Sequence, residues 1–169
     1  MDALDILRDL ASRPRAAADA LREHLNPVSL NARPGGHDNS VAWLLWHTGR
    51  EIDVQLADLT RDEQLWTSHG YADRFALGPL GDTVGYGHTP DEARRIVIED
   101  GRGLLEYVDA ALAAIDAHLA MVTVEDLEDV IDEQWDPPIT RGARLVSILD
   151  DAIQHLAQAA YALGMPLGD

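Results

Sequence analysis

Apolar positions along the chain recur at intervals of three and four, the helical period, in four separate stretches. The first runs from Asp2 to His24 through Leu4, Leu7, Leu10, Ala17 and Leu21, with Leu25 just beyond. Pro14 predicts a break or kink near residues 11–14, with Ser12 capping a restart. Asn26 to Asn39, with Pro27, Pro34, Gly35 and Gly36, reads as a loop. The second helix is predicted from Ser40 to about Leu59, with a stripe of Val41, Leu44, Leu45, Ile52, Leu56 and Leu59 and the added bulk of Trp43 and Trp46. Thr89-Pro90-Asp91-Glu92 is the clearest start, an N-cap followed by a proline at the first helical position and a capping-box Glu. A long apolar face follows it to about His118. Thr123 opens a short helix to Val130. Thr140 opens the fourth long helix, to Leu163, with Gly164 as its left-handed stop.

Residues 61–89 lack this period and are punctuated by Gly70, Gly78, Pro79, Gly81, Gly85 and Gly87. An irregular segment of this length inside a compact domain is often functional. Neither this segment nor Trp135-Asp136-Pro137-Pro138 reads as a strand. The pattern therefore predicts an all-α fold, a four-helix bundle with a long irregular loop between helices 2 and 3, spanning residues 1–169 as one domain.

Composition narrows the partners. The chain carries 13 Arg and no Lys against 30 Asp plus Glu, for a net charge of −17. Such a surface repels phosphate backbones and anionic lipid, which argues against nucleic acid and membrane surfaces. The absence of Lys beside abundant Ala, Arg, Gly and Asp fits a GC-rich genome, because Lys codons are AT-rich, and a salt-loving organism would give a similar acidic bias. There is no Cys, so a thiol in any reaction must arrive with a substrate. The amphipathic N-terminus carries no signal-peptide pattern, and a soluble, cytoplasmic protein is expected.

Asp151 and His155 are four apart on the fourth helix, which puts both side chains on one face with Cβ atoms roughly 5–6 Å apart. Two ligands at that spacing reach one ion. His47 lies on another helix, on the stripe of Trp43. Two imidazoles and one carboxylate suit Zn²⁺, with Ni²⁺, Fe²⁺ or Mn²⁺ as alternatives, and three protein ligands leave a position for a reactant. By spacing alone, Asp-x-x-x-His is more often a hydrogen-bonded pair on a helix surface. Glu51, four after His47, is a candidate neighbour or alternative ligand. His69 and His88 lie in the long loop, and His24, His37 and His118 are expected to face solvent near element ends.

The segments Trp43-Leu44-Leu45-Trp46-His47-Thr48-Gly49-Arg50 and Arg144 to Tyr161, which contains Asp151-Ala152-Ile153-Gln154-His155, resemble the DinB-like superfamily. With Asp82-Thr83-Val84-Gly85-Tyr86-Gly87-His88 and Trp135-Asp136-Pro137-Pro138 they resemble, more narrowly, its actinobacterial mycothiol-dependent branch of maleylpyruvate isomerases and mycothiol S-transferases. That resemblance implies a four-helix bundle with a divalent metal near one end. The first ligand, a His after a Trp-rich helix start, maps to His47. The other two, a His-x-x-x-His or Glu-x-x-x-His pair, map to Asp151 and His155. Asp151 departs from that pattern and reaches one methylene less far than Glu. The resemblance further implies a metal-dependent transferase using a low-molecular-weight thiol, mycothiol, on a small electrophile, with Arg50, Tyr86, Arg144 and Gln158 as candidates for orienting the thiol, and a homodimer. Metal-assisted hydrolysis or isomerisation, with Glu51 as base, and a non-catalytic metal-binding stress or detoxification module are the rival functions.

Overall fold

A computed structural model describes residues 1–166. Four long helices dominate it: α1 (Ala3–Leu21), α3 (Val41–Thr60), α7 (Gly101–Met121) and α8 (Arg141–Leu163). Between them lie the short helices α2 (Pro27–Asn31), α4 (Leu65–Ser68), α5 (Tyr71–Phe75) and α6 (Pro90–Arg95). Both α1 and α3 pack against α7 and α8, which closes an all-α four-helix bundle. Among the described residues no helix is long and apolar enough to cross a membrane.

α3 is the central element. Every residue from Val41 to Asp53 is buried, as expected of a helix with packing on all sides. Its start is set locally, by Ser40 Oγ accepting from the Trp43 N–H at 3.1 Å. Its close approach to α7 depends on Gly49, because a Cβ there would lie 2.5 Å from the Tyr107 ring. Leu45, Ile52, Leu104, Leu145 and Leu149 join in one core with almost no exposure. Each such side chain contributes about 1.5–3 kcal/mol by leaving water.

Several boundaries differ from the sequence expectation. α1 runs through Pro14 without a break. The buried series Leu4, Leu7, Ala11, Pro14, Ala18 and Leu21 continues across the proline, so both halves of α1 pack on the same core with α7 and α8. Ser12 does not restart the helix, since its hydroxyl donates back to Asp9 O at 2.7 Å. The predicted third helix is two, α6 and α7, because residues 96–100 are not helical. Ile96 and Ile98 are both buried, an alternation that extended chain provides. The Asn31 side chain accepts from the Ile98 N–H at 3.1 Å and donates to the Ile98 carbonyl at 2.7 Å. Asp100 then caps α7 through the Gly103 N–H at 2.8 Å.

The loop expected between Asn26 and Asn39 contains α2 and a 3₁₀ turn at Pro34–Gly36. The expected helix after Thr123 is a 3₁₀ turn, Glu125–Glu128. It leads into a two-stranded antiparallel ribbon, β1 (Val130–Asp132) and β2 (Ile139–Thr140), where no strand was expected. Strands this short carry no readable period. Gly164 ends α8 in a right-handed conformation, φ −80°, so the left-handed stop is not used. His118, expected at the surface, is buried. It continues the α7 stripe of Ala111 and Ile115, and burial holds its imidazole below the usual pKa.

Candidate metal centre

The pairing of α3 with α8 is antiparallel in register. Leu44 shares a cleft with Gln158 and Tyr161, while His47 faces Asp151 and His155. His47 sits two turns into α3, and the other two residues project from one face of α8 as their i, i+4 spacing dictates. The three side chains each offer a ligand atom, all within 4.8 Å of one another. The imidazole rings of His47 and His155 cross edge to face at 4.5 Å.

Each imidazole has one nitrogen occupied. His47 Nδ1 meets the Val84 carbonyl, which can only accept, so Nδ1 carries the hydrogen. His155 Nδ1 meets Gln158 Oε1 at 3.0 Å in the same sense. Both Nε2 atoms are then lone pairs turned toward Asp151, the outer-partner arrangement usual for metal-binding histidines. His47 Nε2 is 3.6 Å from Asp151 Oδ2, and His155 Nε2 is 3.4 Å from Asp151 Oδ1. These separations exceed a well-formed N–H···O bond. Each of these two N···O separations is close to the ~3.4 Å edge of a tetrahedron with bonds of ~2.1 Å, and the three ligand atoms lie within 4.8 Å of one another. Asp151 Oδ2 is buried with no hydrogen-bond partner. Burial pushes the Asp151 carboxyl up, but without a metal the hydrogen bonds and charge of the protonated His155 and His47 imidazoles more than reverse this and hold it well below the usual range. The same carboxylate raises His155 against the opposing effect of burial. The donor set therefore fits a divalent cation, and the shorter Asp reaches both imidazoles.

Glu51 lies one turn beyond His47 and is 8% exposed. Its Oε1 accepts from Gln55, and its Oε2 has no partner. Burial, then the negative charge of Asp151, push it up to about 9, with Arg144 opposing. Arg144 is half-buried and makes no ion pair among the described residues.

The long loop closes over the same end of α3. Gly85, at φ +87°, brings its backbone against both tryptophans. A Cβ there would stand 2.9 Å from the Trp43 and Trp46 rings and 3.3 Å from His47 Nδ1. Trp43 stacks on His47 at 4.8 Å. His88 stacks on Trp46 at 5.7 Å and accepts from Trp43 Nε1 at 3.3 Å. Its Nε2 then donates to Thr83 Oγ1 at 2.9 Å. His88 thus reaches the site, while His69 packs beside Tyr71 instead.

Of the residues proposed to orient a thiol, Gln158 and Arg144 flank the triad on the α8 face. Tyr86 stands 92% exposed on the loop. Arg50 is 1% exposed and its donors are used elsewhere. It donates to the carbonyls of Asp82 and Thr83 at 3.0 and 3.1 Å, to Gln64 Oε1, and approaches Asp53 at 3.6 Å. Arg50 therefore acts on the loop, holding the peptide next to the Val84 carbonyl that fixes His47. Sequence reasoning missed that carbonyl because a backbone acceptor has no residue identity. The only signal was Gly85 beside a Trp-x-x-Trp-His segment.

A family model described as the DinB superfamily matches residues 11–159. Among solved structures, the crystal structure of a conserved protein from Enterococcus faecalis superposes with a TM-score of 0.87 at 34% identity, over 96% of this chain and 96% of that one. No curated protein matches the chain.

Proposed function

The chain belongs to the DinB superfamily, and from that membership and the triad we propose that it is a metal-dependent transferase that joins a low-molecular-weight thiol to a small electrophile. One observation carries the proposal: two imidazole nitrogens, their outer nitrogens already held, each stand 3.4–3.6 Å from an oxygen of one carboxylate, with all three ligand atoms within 4.8 Å of one another. His47, Asp151 and His155 would hold the ion, zinc first given two nitrogens and one carboxylate. A divalent cation held there favours thiolate over thiol at neutral pH, which supplies nucleophile. The sulfur forms a bond to the electrophilic carbon while a carbon–halogen or epoxide carbon–oxygen bond breaks, and the thiol proton passes to solvent or to the epoxide oxygen.

The residues around the triad divide the remaining work. Arg144, without an ion pair among the described residues, orients the polar body of the thiol from one side. Gln158 sets the tautomer of His155 through its oxygen and turns its amide nitrogen to the reactants. Tyr86 stands at the loop rim. The resemblance to the mycothiol-dependent branch points to mycothiol as the thiol, and the lack of Cys means that no protein thiol competes. A cytoplasmic homodimer completes the proposal.

The test is thiol consumption with a generic alkylating electrophile, using mycothiol and several other thiols, with and without chelator. Metal-dependent loss above background is expected. No such loss with any thiol contradicts the proposal. A second reading has one observation in its favour, the unpartnered Oε2 of buried Glu51. It makes the site a hydrolase or isomerase with Glu51 as base. Turnover with no thiol added supports that reading instead.

A further inference from the structure

Beside the triad lies a cleft of about 460 Å³, within the ~300–1,000 Å³ typical of small-molecule sites. Leu44 forms its floor, Ala157, Ala162 and Met165 one wall, and Pro34 the other. At its far end the Pro34–Gly36 turn comes up to Met165. Gly35, in a left-handed conformation at φ +70°, folds its turn back so that a Cβ there would meet Met165 Cε at 3.9 Å. A cleft of this volume, concave and lined mainly by apolar side chains, suits a small molecule.

We infer that this cleft seats the electrophile and selects one that is uncharged and predominantly apolar. The inference rests on the transferase reading for the word electrophile, and on the cleft alone for the chemistry of the ligand. Its register supports the placement. Asp151, His155, Gln158 and Ala162 stand at i, i+4, i+7 and i+11 on α8, one continuous stripe. Ala162 is about 10 Å from His155 along the axis at ~1.5 Å per residue. A ligand seated against Leu44, Ala162 and Met165 therefore directs its near end to Gln158 and the edge of the triad. Gln158 is the polar member at that boundary. Its oxygen is taken by His155 Nδ1, and its amide nitrogen has no protein partner among the described residues. At the opposite side the Asn39 N–H is already donated to His37 Nδ1 at 3.1 Å.

Charge settles the class of ligand. Among the described residues no Arg, Asp or Glu lines the cleft, whose ionisable lining groups are His37 and Tyr161, and the chain as a whole carries −17. A carboxylate buried there would lose its hydration with no guanidinium in return and only the exposed His37 imidazole at the rim, a heavy penalty. Arg144, which makes no ion pair among the described residues, lies beyond Asp151 at the other end of the stripe. The arrangement separates a polar thiol on the Arg144 side from an apolar electrophile on the Ala162 side.

The experiment uses the full chain and N-phenyl-1-naphthylamine, an uncharged probe whose fluorescence rises in apolar sites. Saturable binding is expected in metal-free and zinc-loaded protein. It should weaken at least about tenfold in Ala162→Trp, which fills the cleft with a side chain of far greater volume. Ala157→Trp, at an exposed position, provides the same occlusion with no demand on the core. Styrene oxide should displace the probe, and benzoate at equal concentration should not. No saturable binding, unchanged binding in both variants, or equal displacement by benzoate overturns the inference. So does a dimer that Ala162→Trp converts to monomer in sedimentation, since the cleft is then an interface between copies. Probe binding without thiol consumption would leave the cleft standing and sink the transferase reading. Thiol consumption without probe binding would do the reverse.

Discussion

Arg50 and Asp53 lie on one side of α3, and His47 and Glu51 on the adjoining side, all four buried. Around the first pair every polar atom is answered. Asp53 accepts from the Leu65 and Trp66 N–H groups at 2.7 and 2.8 Å and from the Tyr107 hydroxyl at 2.9 Å. Arg50 spends its donors on Gln64, Tyr107 and two loop carbonyls, and its guanidinium lies 5.0 Å over the Trp66 ring. Burial and the charge of Asp53 hold the Tyr107 phenol well above its usual pKa, so it stays a donor. Around the second pair two carboxylate oxygens, Asp151 Oδ2 and Glu51 Oε2, have no partner. A buried network that is fully answered holds structure together, and one left incomplete is where a further group belongs. A cation at the triad answers Asp151 directly and, through its charge, lowers the cost of ionising Glu51.

Isosteric substitutions at the two carboxylates separate these roles most sharply. Asp53→Asn leaves Arg50 without its counter-charge and turns an amide N–H against a backbone N–H. It should cost about 3–5 kcal/mol in urea denaturation. Asp151→Asn should change the stability of the metal-free protein by under about 1 kcal/mol, as for a half-exposed charge. It should weaken zinc binding by more than the ~10–100-fold that loss of an outer partner costs. Equal stability losses at the two positions would erase the distinction.

Gly85→Ala tests whether the loop belongs to the metal centre. The new Cβ cannot fit between Trp43 and Trp46 at φ +87°, so the Val84 carbonyl must move off His47. Zinc affinity should fall by roughly 10–100-fold, as outer partners do elsewhere, with about 1–3 kcal/mol lost in stability from the strained backbone. Unchanged affinity in a calorimetric titration would detach the loop from the site.

A pH-dependent effect concerns Glu51. Its folded pKa, pushed up to about 9, lies above that of the unfolded chain. The native state therefore binds the proton more tightly, and this stabilisation is full below the unfolded pKa and lost as pH rises through about 9. In metal-free protein, Glu51→Gln should gain stability relative to the parent as pH climbs from the unfolded value toward that point. A constant difference across the range would mean that Glu51 is ionised when folded.

Much of this contrast was legible in the chain itself. Ser40, Thr89 and Thr140 cap helices where local spacing places them, because capping depends on residues three positions apart. His47, Asp151 and His155 ride on periodic helices, so their faces follow from register. What resisted reading depends on distant partners. The break at Ile96–Asp100 needs Asn31, 67 residues before Ile98. α1, continuous through Pro14, packs along both halves on the core it shares with α7 and α8. Arg50 reads as a candidate ligand-binding cation until Asp53, Gln64 and the loop carbonyls are seen around it. The tautomer of His47 depends on a carbonyl, which no side-chain pattern reports.

The central claim is that the incomplete cluster on α3 and α8 holds a divalent cation. Calorimetric titration of chelator-stripped protein with zinc tests it most directly, with His155→Ala in parallel. Binding close to one ion per chain, lost in the variant while its fold is retained, is the predicted result. A stoichiometry far below one, or equal binding in parent and variant, would contradict it.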